Sequence, residues 1–510
     1  MNGNSQMRAI EVEAIAMTMR FGALTALDDV SIKIPAGSFH ALLGENGAGK
    51  STLVKCMLGF YRATDGQMMV AGREAAIESP RDAAVLGLGM VYQHFTLANS
   101  LTAAENLVIS RTDAPHLIDW KKERAALADF IETMPFRIPL DAPVSTLAAG
   151  EKQKLEILKQ LYLGRRFLVL DEPTSVLTPD EADEVLGHVR ALTRSGALTA
   201  LMISHKFSEV FAFADEVTVL RKGRRTGCGA IGAFDRQSLA AMMIGEQKIA
   251  ALDARIAAPA DTPPVLEIAR LRAPDRSGLK TIDIENMRVN AGEILGVAGI
   301  SGNGQKEFLE VLAGQRAADA GEIKVKRVPY HATRDEMRAL NVRFIPEEPL
   351  RNACAPRMSV ADNLAFRTFD LDDRGRRAFR LDGGAIRRNA ERLIERFRVK
   401  AASLDTPIAS LSGGNVQRAV LARELTGEVD VLIVANPCFG LDFAAVADIR
   451  ARIMQARNGG AAVLLVSEDL DELLELSDRI VVMSEGAVVY ETPIAAADAH
   501  EIGRHMAGHR

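Results

Sequence analysis

The most specific chemistry in this 510-residue chain sits in one short stretch, Gly44-Glu45-Asn46-Gly47-Ala48-Gly49-Lys50-Ser51-Thr52. Its pattern, G-x-x-x-x-G-K-S, is that of a phosphate-binding P-loop. The glycines let successive backbone N–H groups turn inward toward phosphate oxygens. Lys50 can reach the β- and γ-phosphates, and the Ser51 hydroxyl can bind Mg²⁺. A second constellation, Phe167-Leu168-Val169-Leu170-Asp171-Glu172-Pro173, is an apolar run closed by two acids. Following a P-loop, it reads as the Walker B pattern. Asp171 then helps hold Mg²⁺, and Glu172 is placed to orient or deprotonate an attacking water.

These side chains need a strand, a loop and a helix to position them. Phe39, Ala41, Leu42 and Leu43 predict a buried strand before the P-loop. Leu53, Cys56, Met57 and Leu58 predict a helix after it, whose positive dipole end adds to phosphate binding. The chain as a whole is 48% hydrophobic and 25% charged with a net charge of −5, a globular composition with no basic bias toward nucleic acid. Its four cysteines, Cys56, Cys228, Cys354 and Cys438, show no C-x-x-C spacing, which argues against a disulfide framework or zinc site. No apolar run is long enough to cross a bilayer, and residues 1–13 lack the apolar core of a secretion signal. The expectation is a cytosolic protein that reaches a membrane only through a partner.

An internal repeat organises the chain. Ala36-Gly37-Ser38-Phe39-His40-Ala41-Leu42-Leu43-Gly44 is echoed by Ala291-Gly292-Glu293-Ile294-Leu295-Gly296-Val297-Ala298-Gly299. Leu101-Thr102-Ala103-Ala104-Glu105-Asn106-Leu107 is echoed by Met358-Ser359-Val360-Ala361-Asp362-Asn363-Leu364, and Asp215 and Gly223 by Asp478 and Gly486. The period, about 260 residues, far exceeds that of solenoid repeats and marks two copies of a whole domain. Apolar strands alternating with helical patterns predict an α/β fold with a largely parallel sheet. The boundaries expected are 1–249 for the first copy, 250–264 for an Ala/Pro-rich linker and 265–510 for the second.

With these motifs in hand, nearly the whole chain resembles the nucleotide-binding subunits of ABC transporters. Val91-Tyr92-Gln93 is similar to that family's Q-loop, where Gln93 would touch Mg²⁺ and sense the membrane partner. Ile203-Ser204-His205 resembles its switch histidine, with His205 against the γ-phosphate. Phe21 sits where the family places an aromatic that stacks on adenine. The resemblance implies two tandem P-loop NTPase domains, each with a mostly parallel core, an antiparallel β subdomain and a helical subdomain. It implies ATP and Mg²⁺ as ligands, hydrolysis by Lys50, Gln93, Glu172 and His205, and metal binding by Ser51, Gln93 and Asp171. One element departs. The family signature Leu-Ser-Gly-Gly-Gln is here Leu147-Ala148-Ala149-Gly150-Glu151, without the serine hydroxyl and with an added negative charge. The first D-loop also has Thr178 where the family usually has Asp.

The second copy has the opposite defects. Its P-loop equivalent, Gly299-Ile300-Ser301-Gly302-Asn303-Gly304-Gln305-Lys306-Glu307, keeps the glycines but has Gln305 and Lys306 at the lysine and serine positions. One helical step rotates a side chain by about 100°, so Lys306 should not replace Lys50. Ala435-Asn436-Pro437 lacks both Walker B acids, Glu347 and Glu468 stand at the Q-loop and switch positions, and no clear aromatic lies between Ala269 and Glu285. Yet Leu411-Ser412-Gly413-Gly414-Asn415 is an almost intact signature, and Gly440-Leu441-Asp442 an intact D-loop end. A helix-capping role would also suit Ser412.

In the family, each ATP lies between the P-loop of one domain and the signature of the other. That pairing would set the complete P-loop against Ser412, Gly413 and Gly414, giving one hydrolytic site and one degenerate site. Tandem domains of this pattern resemble bacterial importers of simple sugars and nucleosides, and residues 150–158 look closer to the nucleoside-type branch. The partners implied are transmembrane permease subunits, contacted by the segment from Gln93 to about Leu147 and its counterpart after Glu347, and a periplasmic or lipid-anchored substrate-binding protein, with no nucleic acid. The chain would lie peripherally on the cytoplasmic face of the inner (plasma) membrane. The alternative is a soluble tandem ATPase acting on ribosomes or DNA, a class that usually keeps both sites intact.

Overall fold

A computed structural model describes residues 8–22, 24–45, 47–92, 95–111, 113–114, 117–134, 136–147, 149–174, 177–204, 206–245, 253–256, 263–274, 281–300, 302–371, 377, 380–438, 441, 443–506 and 508. The chain divides into two compact units, Met1–Gln247 and Lys248–Arg510.

The strands of the first unit are β1 (Val12–Phe21), β2 (Leu24–Ile34), β3 (Phe39–Leu43), β4 (Asp65–Val70), β5 (Arg73–Glu74), β6 (Leu88–Val91), β7 (Phe167–Asp171), β8 (Thr199–Ile203), β9 (Glu216–Arg221) and β10 (Arg224–Ala230). They form an antiparallel sheet in the order β2-β1-β4-β5 and a second sheet in the order β10-β9-β3-β8-β7-β6. In the second sheet every pairing is parallel except that of β10 at the edge. Every residue of β3 and β8 is buried, as expected for inner parallel strands covered on both faces. β1 instead alternates, burying Val12 and Ala14 and then, past a register shift between Ala14 and Met17, Met17 and Met19.

The strands of the second unit are β11 (Pro264–Pro274), β12 (Thr281–Asn290), β13 (Ile294–Ala298), β14 (Ala320–Val325), β15 (Val328–Pro329), β16 (Val342–Ile345), β17 (Val431–Ala435), β18 (Ala462–Ser467), β19 (Arg479–Ser484) and β20 (Ala487–Pro493). Their order, β15-β14-β11-β12-β20-β19-β13-β18-β17-β16, repeats the first unit strand for strand, with the two sheets joined by one pairing, Asp283↔Ala487.

Echoed residues do the same structural work in both units. Asp215 accepts the Phe39 N–H at 2.9 Å and pairs with Arg190; Asp478 accepts the Ile294 N–H at 2.8 Å and pairs with Arg457. Buried Asn106 and Asn363 each bond both backbone groups of one residue, Ala98 and Ala355 respectively, which satisfies a polar group that burial would otherwise penalise. The helical subdomains include corresponding helices: Ala103–Ile109, Trp120–Glu132 and Ala149–Tyr162 in the first unit, and Val360–Ala365, Gly383–Phe397 and Gly413–Glu424 in the second. Thr102 and Glu105 close a capping box at the first of them, and Ser359 caps its counterpart through the Asp362 N–H. Of the stretch expected to join the copies, residues 253–256 lie along the second unit, where Arg255 donates to Glu475 O at 2.8 Å and Asn458 to Ala254 O at 3.1 Å.

Candidate active site

β3 ends at Leu43 and the helix Lys50–Met57 begins six residues after Gly44, so the P-loop spans a strand end and a helix start. Gly49 is the N-cap at φ 105°, where a Cβ would meet Leu27 Cδ2 at 2.8 Å and Ala26 O at 2.9 Å. Gly47, at φ 81°, has open space in front of it. No L side chain suits both demands, and the loop presents a wall of backbone that an anion can approach closely. This cradle fits a polyphosphate. Lys50 Nζ donates to Gly44 O at 2.6 Å and Glu45 O at 3.1 Å, which folds the ammonium back over the loop. Ala48 is buried, Thr52 half-buried and Ser51 exposed. Asn46 lies outside the described residues.

Asp171 closes β7, and both it and Glu172 are half-buried. Burial pushes the Lys50 ammonium below the usual lysine range, while Glu172, Asp171 and Glu45 pull it back up. Burial and then the neighbouring Glu172 raise the Asp171 carboxyl, against Lys50 and Lys55. The three groups are thus electrostatically coupled, an unlike set held close in a dry setting. Glu172 sits at φ 46° with its N–H on Ile203 O at 2.9 Å. A non-glycine residue held there carries some backbone strain. Ser51 and Asp171 supply the hard oxygen donors that Mg²⁺ takes. Gln93 and His205 lie outside the described residues. The flanks of His205 are nevertheless fixed: Ser204 Oγ donates to Glu209 Oε2 at 3.0 Å, Lys206 Nζ lies 3.5 Å from Glu209 Oε1, and Thr174 Oγ1 donates to the same Oε1.

The second unit repeats the backbone without the charges. Gly304 caps the helix Gln305–Leu312 at φ 101°. Gln305 is buried and its Nε2 lies where a Cβ on Gly299 would stand, so the amide folds back over the loop as Lys50 does. Lys306 is exposed, one step round the helix as its position predicts. Asn436 holds φ 40° and donates its N–H to Val466 O at 2.8 Å, the counterpart of the strained Glu172 turn. Its Oδ1 accepts the Glu468 N–H at 2.8 Å.

The two signature loops differ in what their helix starts hold. In the first unit the Gly150 N–H donates to Glu181 Oε1 at 3.2 Å, and Glu181 Oε2 accepts from Thr178. A carboxylate of the same unit therefore occupies the amide at this helix start, a position that favours an anion. The residue at the matching place in the second unit is Ala445. There Ser412 is exposed, and although it is the N-cap residue its side chain makes no capping bond. Its Oγ accepts instead from Asn415 Nδ2 at 2.9 Å. Capping chemistry thus does not account for this serine, because Asn415 turns back and takes its hydroxyl. Gly413 is exposed and Gly414 half-buried.

The family model described as ABC transporter matches twice, over residues 27–175 and 282–438. The chain belongs to the ABC transporter family. Both matches span a P-loop and a Walker B strand, and family membership makes the chain an ATP-binding protein and an ATPase. It is 38% identical to a glucose import ATP-binding protein of Haloferax volcanii, over 96% of this chain and 94% of that one. It is 36% identical to a nucleoside import ATP-binding protein of Lactococcus lactis, over 98% of each, and 35% identical to a ribose import ATP-binding protein of Rubrobacter xylanophilus, over 96% and 97%. Among solved structures, the complex of an archaeal ribosome recycling factor with a ribosomal stalk protein aligns with a TM-score of 0.64 at 17% identity, over 97% of this chain and 92% of that one. That likeness is one of fold.

Sequence reading of this ABC ATPase did not single out Thr96, Glu156 and Lys159. Glu156 is 1% exposed, on the helix that follows the first signature loop, and it accepts the Thr96 N–H and hydroxyl. Lys159 Nζ donates to Thr96 Oγ1 at 2.6 Å and pairs with Glu156 at 2.6 Å. Thr96 is three residues beyond Gln93, so the clamp ties the Q-loop segment to the signature helix. The matching contact in the second unit is Arg423 Nη1 to Ala353 O at 2.8 Å. The available signal was an i, i+3 acid–base pair set among Leu155, Ile157, Leu158 and Leu161, where an exposed helix face would not be apolar. Glu209 and Glu181 left no comparable signal.

Proposed function

We propose that the chain is the ATP-hydrolysing subunit that energises uptake of a small hydrophilic solute, a sugar or a nucleoside, through a partner membrane permease. The observation that carries this reading is the segregation of the site chemistry between two copies of one backbone. Lys50, Asp171 and Glu172 are coupled in the first copy, while Gln305, Ala435 and Asn436 take their places in the second. The relatives, named as sugar and nucleoside import ATP-binding proteins, support the solute class.

The competent site pairs the first P-loop with the Ser412-Gly413-Gly414 signature. The other pairing sets Gln305 against a signature whose Gly150 amide is already held by Glu181. Gly44, Glu45, Asn46, Gly47, Ala48, Gly49, Lys50, Ser51 and Thr52 wrap the triphosphate, and Phe21 meets the adenine ring. Ser51, Gln93 and Asp171 are the residues that would hold Mg²⁺, which when bound neutralises phosphate charge. Lys50 and the loop amides stabilise charge developing on the transferring phosphoryl group. Glu172 accepts the proton of the attacking water and His205 orients it toward the γ-phosphate. The chain works peripherally at the cytoplasmic face of the inner membrane, with a substrate-binding protein on the far side delivering solute.

The test is reconstitution of the chain with its permease in vesicles, reading ATP-driven uptake of labelled nucleosides and monosaccharides. Uptake of one class is expected, and Lys50→Ala should abolish it. Uptake of neither, or uptake that survives Lys50→Ala, would overturn the proposal.

A further inference from the structure

The two copies diverge at the outer end of β1 in a way that their motifs do not report. The backbone there is the same. Phe60 and Tyr61 donate their N–H groups to Lys55 O at 2.8 and 3.2 Å; Gln315 and Arg316 donate theirs to Glu310 O at 2.8 and 3.2 Å. Downstream, Thr64 N–H bonds Thr18 O and Asp319 N–H bonds Arg272 O, both at 2.8 Å. Tyr61 thus corresponds to Arg316, and Lys55 to Glu310.

The side chains built on this common frame are opposite in kind. In the first copy the Phe21 and Tyr61 rings meet edge to face, with centroids 5.4 Å apart and planes at 78°. Lys55 Nζ stands 5.2 Å from the Tyr61 ring centroid and 3.5 Å from its hydroxyl. Tyr61 packs against the core of its unit, whereas Phe21, at the strand end, remains 43% exposed. In the second copy Arg316 pairs with Glu310 at 2.7 Å, the two side chains only 12% and 11% exposed, and Arg316 Nη1 reaches Pro274 O at 2.5 Å. An aromatic platform in one copy is a closed ion pair in the other.

We propose that Tyr61, braced by Lys55, is a positioning residue that holds Phe21 as the platform for the purine base, and that the Arg316–Glu310 pair removes base recognition from the second copy. The inference rests on the reading that Phe21 meets adenine. An exposed phenylalanine beside a turn loses side-chain freedom when a ligand stacks on it, and that loss weakens binding. An edge-to-face contact with a ring already anchored on the core removes the freedom beforehand. Lys55, over the Tyr61 ring, fixes the second ring in turn. A base stacks on any aromatic face offered to it. The Arg316 side chain, largely buried with its partner Glu310, offers no such free surface.

The experiment uses the full-length chain and measures KM and kcat for ATP together with the inhibition constant of inorganic tripolyphosphate, which lacks a base. Phe21→Ala and Tyr61→Ala should each raise KM for ATP roughly tenfold, the size of one lost base–aromatic stack, with tripolyphosphate inhibition unmoved. Tyr61→Phe keeps the ring and the cation over it and should restore KM to within about threefold of the original, since only the 3.5 Å contact of Lys55 Nζ to the hydroxyl is lost. Tyr61→Leu keeps an apolar side chain against the core without the ring, so it carries the test if Tyr61→Ala does not fold. It should match Tyr61→Ala. If Phe21→Ala raises KM and neither Tyr61 variant does, the bracing role is overturned and the base-platform reading stands. If Phe21→Ala leaves KM unchanged, the base-platform reading itself falls. Equal loss of ATP and tripolyphosphate binding in Tyr61→Ala would make Tyr61 a structural residue and overturn the proposal.

Discussion

In the first copy the residue that opens the P-loop helix is Lys50; in the second it is Gln305, and both fold back over their own loop. Gly49 and Gly304 hold φ 105° and 101°, and Glu172 and Asn436 hold φ 46° and 40°. The backbone of a phosphate site has been kept where its charges have been lost. The difference separates two demands that a single-copy protein would leave fused. Glycines, strained turns and strand order serve the packing of the fold, so both copies need them. Lys50, Asp171 and Glu172 are not needed for that packing, since neutral Gln305, Ala435 and Asn436 stand in their places in the second copy. The signature loops divide the other way, with Glu181 bonded to Gly150 in the first copy and Ser412 left exposed in the second.

The largest expected effect breaks this comparison at its centre. Lys50→Ala or Glu172→Gln should lower ATPase turnover by roughly a thousandfold, because a preorganised charge or base is removed, whereas Gln305→Ala should change it less than about twofold. Steady-state phosphate release measures both, and an equal loss from Gln305→Ala would erase the asymmetry. Next comes the Glu156 clamp. Glu156→Val, which imports Val420 of the second copy, should cost about 3 kcal/mol, since Lys159 is left buried and unpaired. Adding Lys159→Met should recover most of it. Urea unfolding followed at Trp120, the one tryptophan of the chain, reports the first unit.

A smaller effect concerns His40, buried in β3 with Nε2 2.9 Å from Thr218 Oγ1. Burial pushes its pKa down from 6.5 to about 4, with Asp215 opposing. Between those values the unfolded chain binds a proton that the folded chain refuses. The His40 contribution to stability should therefore fall by about 2.5 kcal/mol as pH drops from 6.5 to 4, and stay nearly level above 6.5. His40→Leu/Thr218→Val substitutes the residues of the second copy, Leu295 and Val481, and should flatten that part of the pH profile; an unchanged slope would assign it to other groups. The signature loops give the smallest effects. Ser412→Ala should lower turnover roughly tenfold through one lost charge-assisted hydrogen bond. Ala148→Ser should change it less than about twofold, because Glu181 still holds the Gly150 amide. Equal effects would sink the pairing of the first P-loop with the second signature.

Much of the fold was readable residue by residue. The P-loop and the Walker B strand are local patterns, and local patterns need only the neighbouring chain to act. The repeat exposed the second copy because strand ends such as Asp215 and Asp478 must bond the same backbone groups in each. The candidate site was legible only as far as its motifs. Ser412 fits a helix cap by residue type, yet Asn415 takes its hydroxyl, and no propensity scale weighs that competition.

What the sequence determined by itself is the kind of chemistry and its division between two copies, since a P-loop or an acid pair is defined by residue type at fixed spacing. What only the tertiary structure decided is which distant groups those motifs lean on: Glu181 on Gly150, Lys159 and Glu156 on Thr96, Tyr61 on Phe21. Each joins residues tens of positions apart through a few hydrogen bonds or one ring contact. Periodicity carries no record of such contacts, because they depend on where strands and helices come to lie and not on the order in which they are strung.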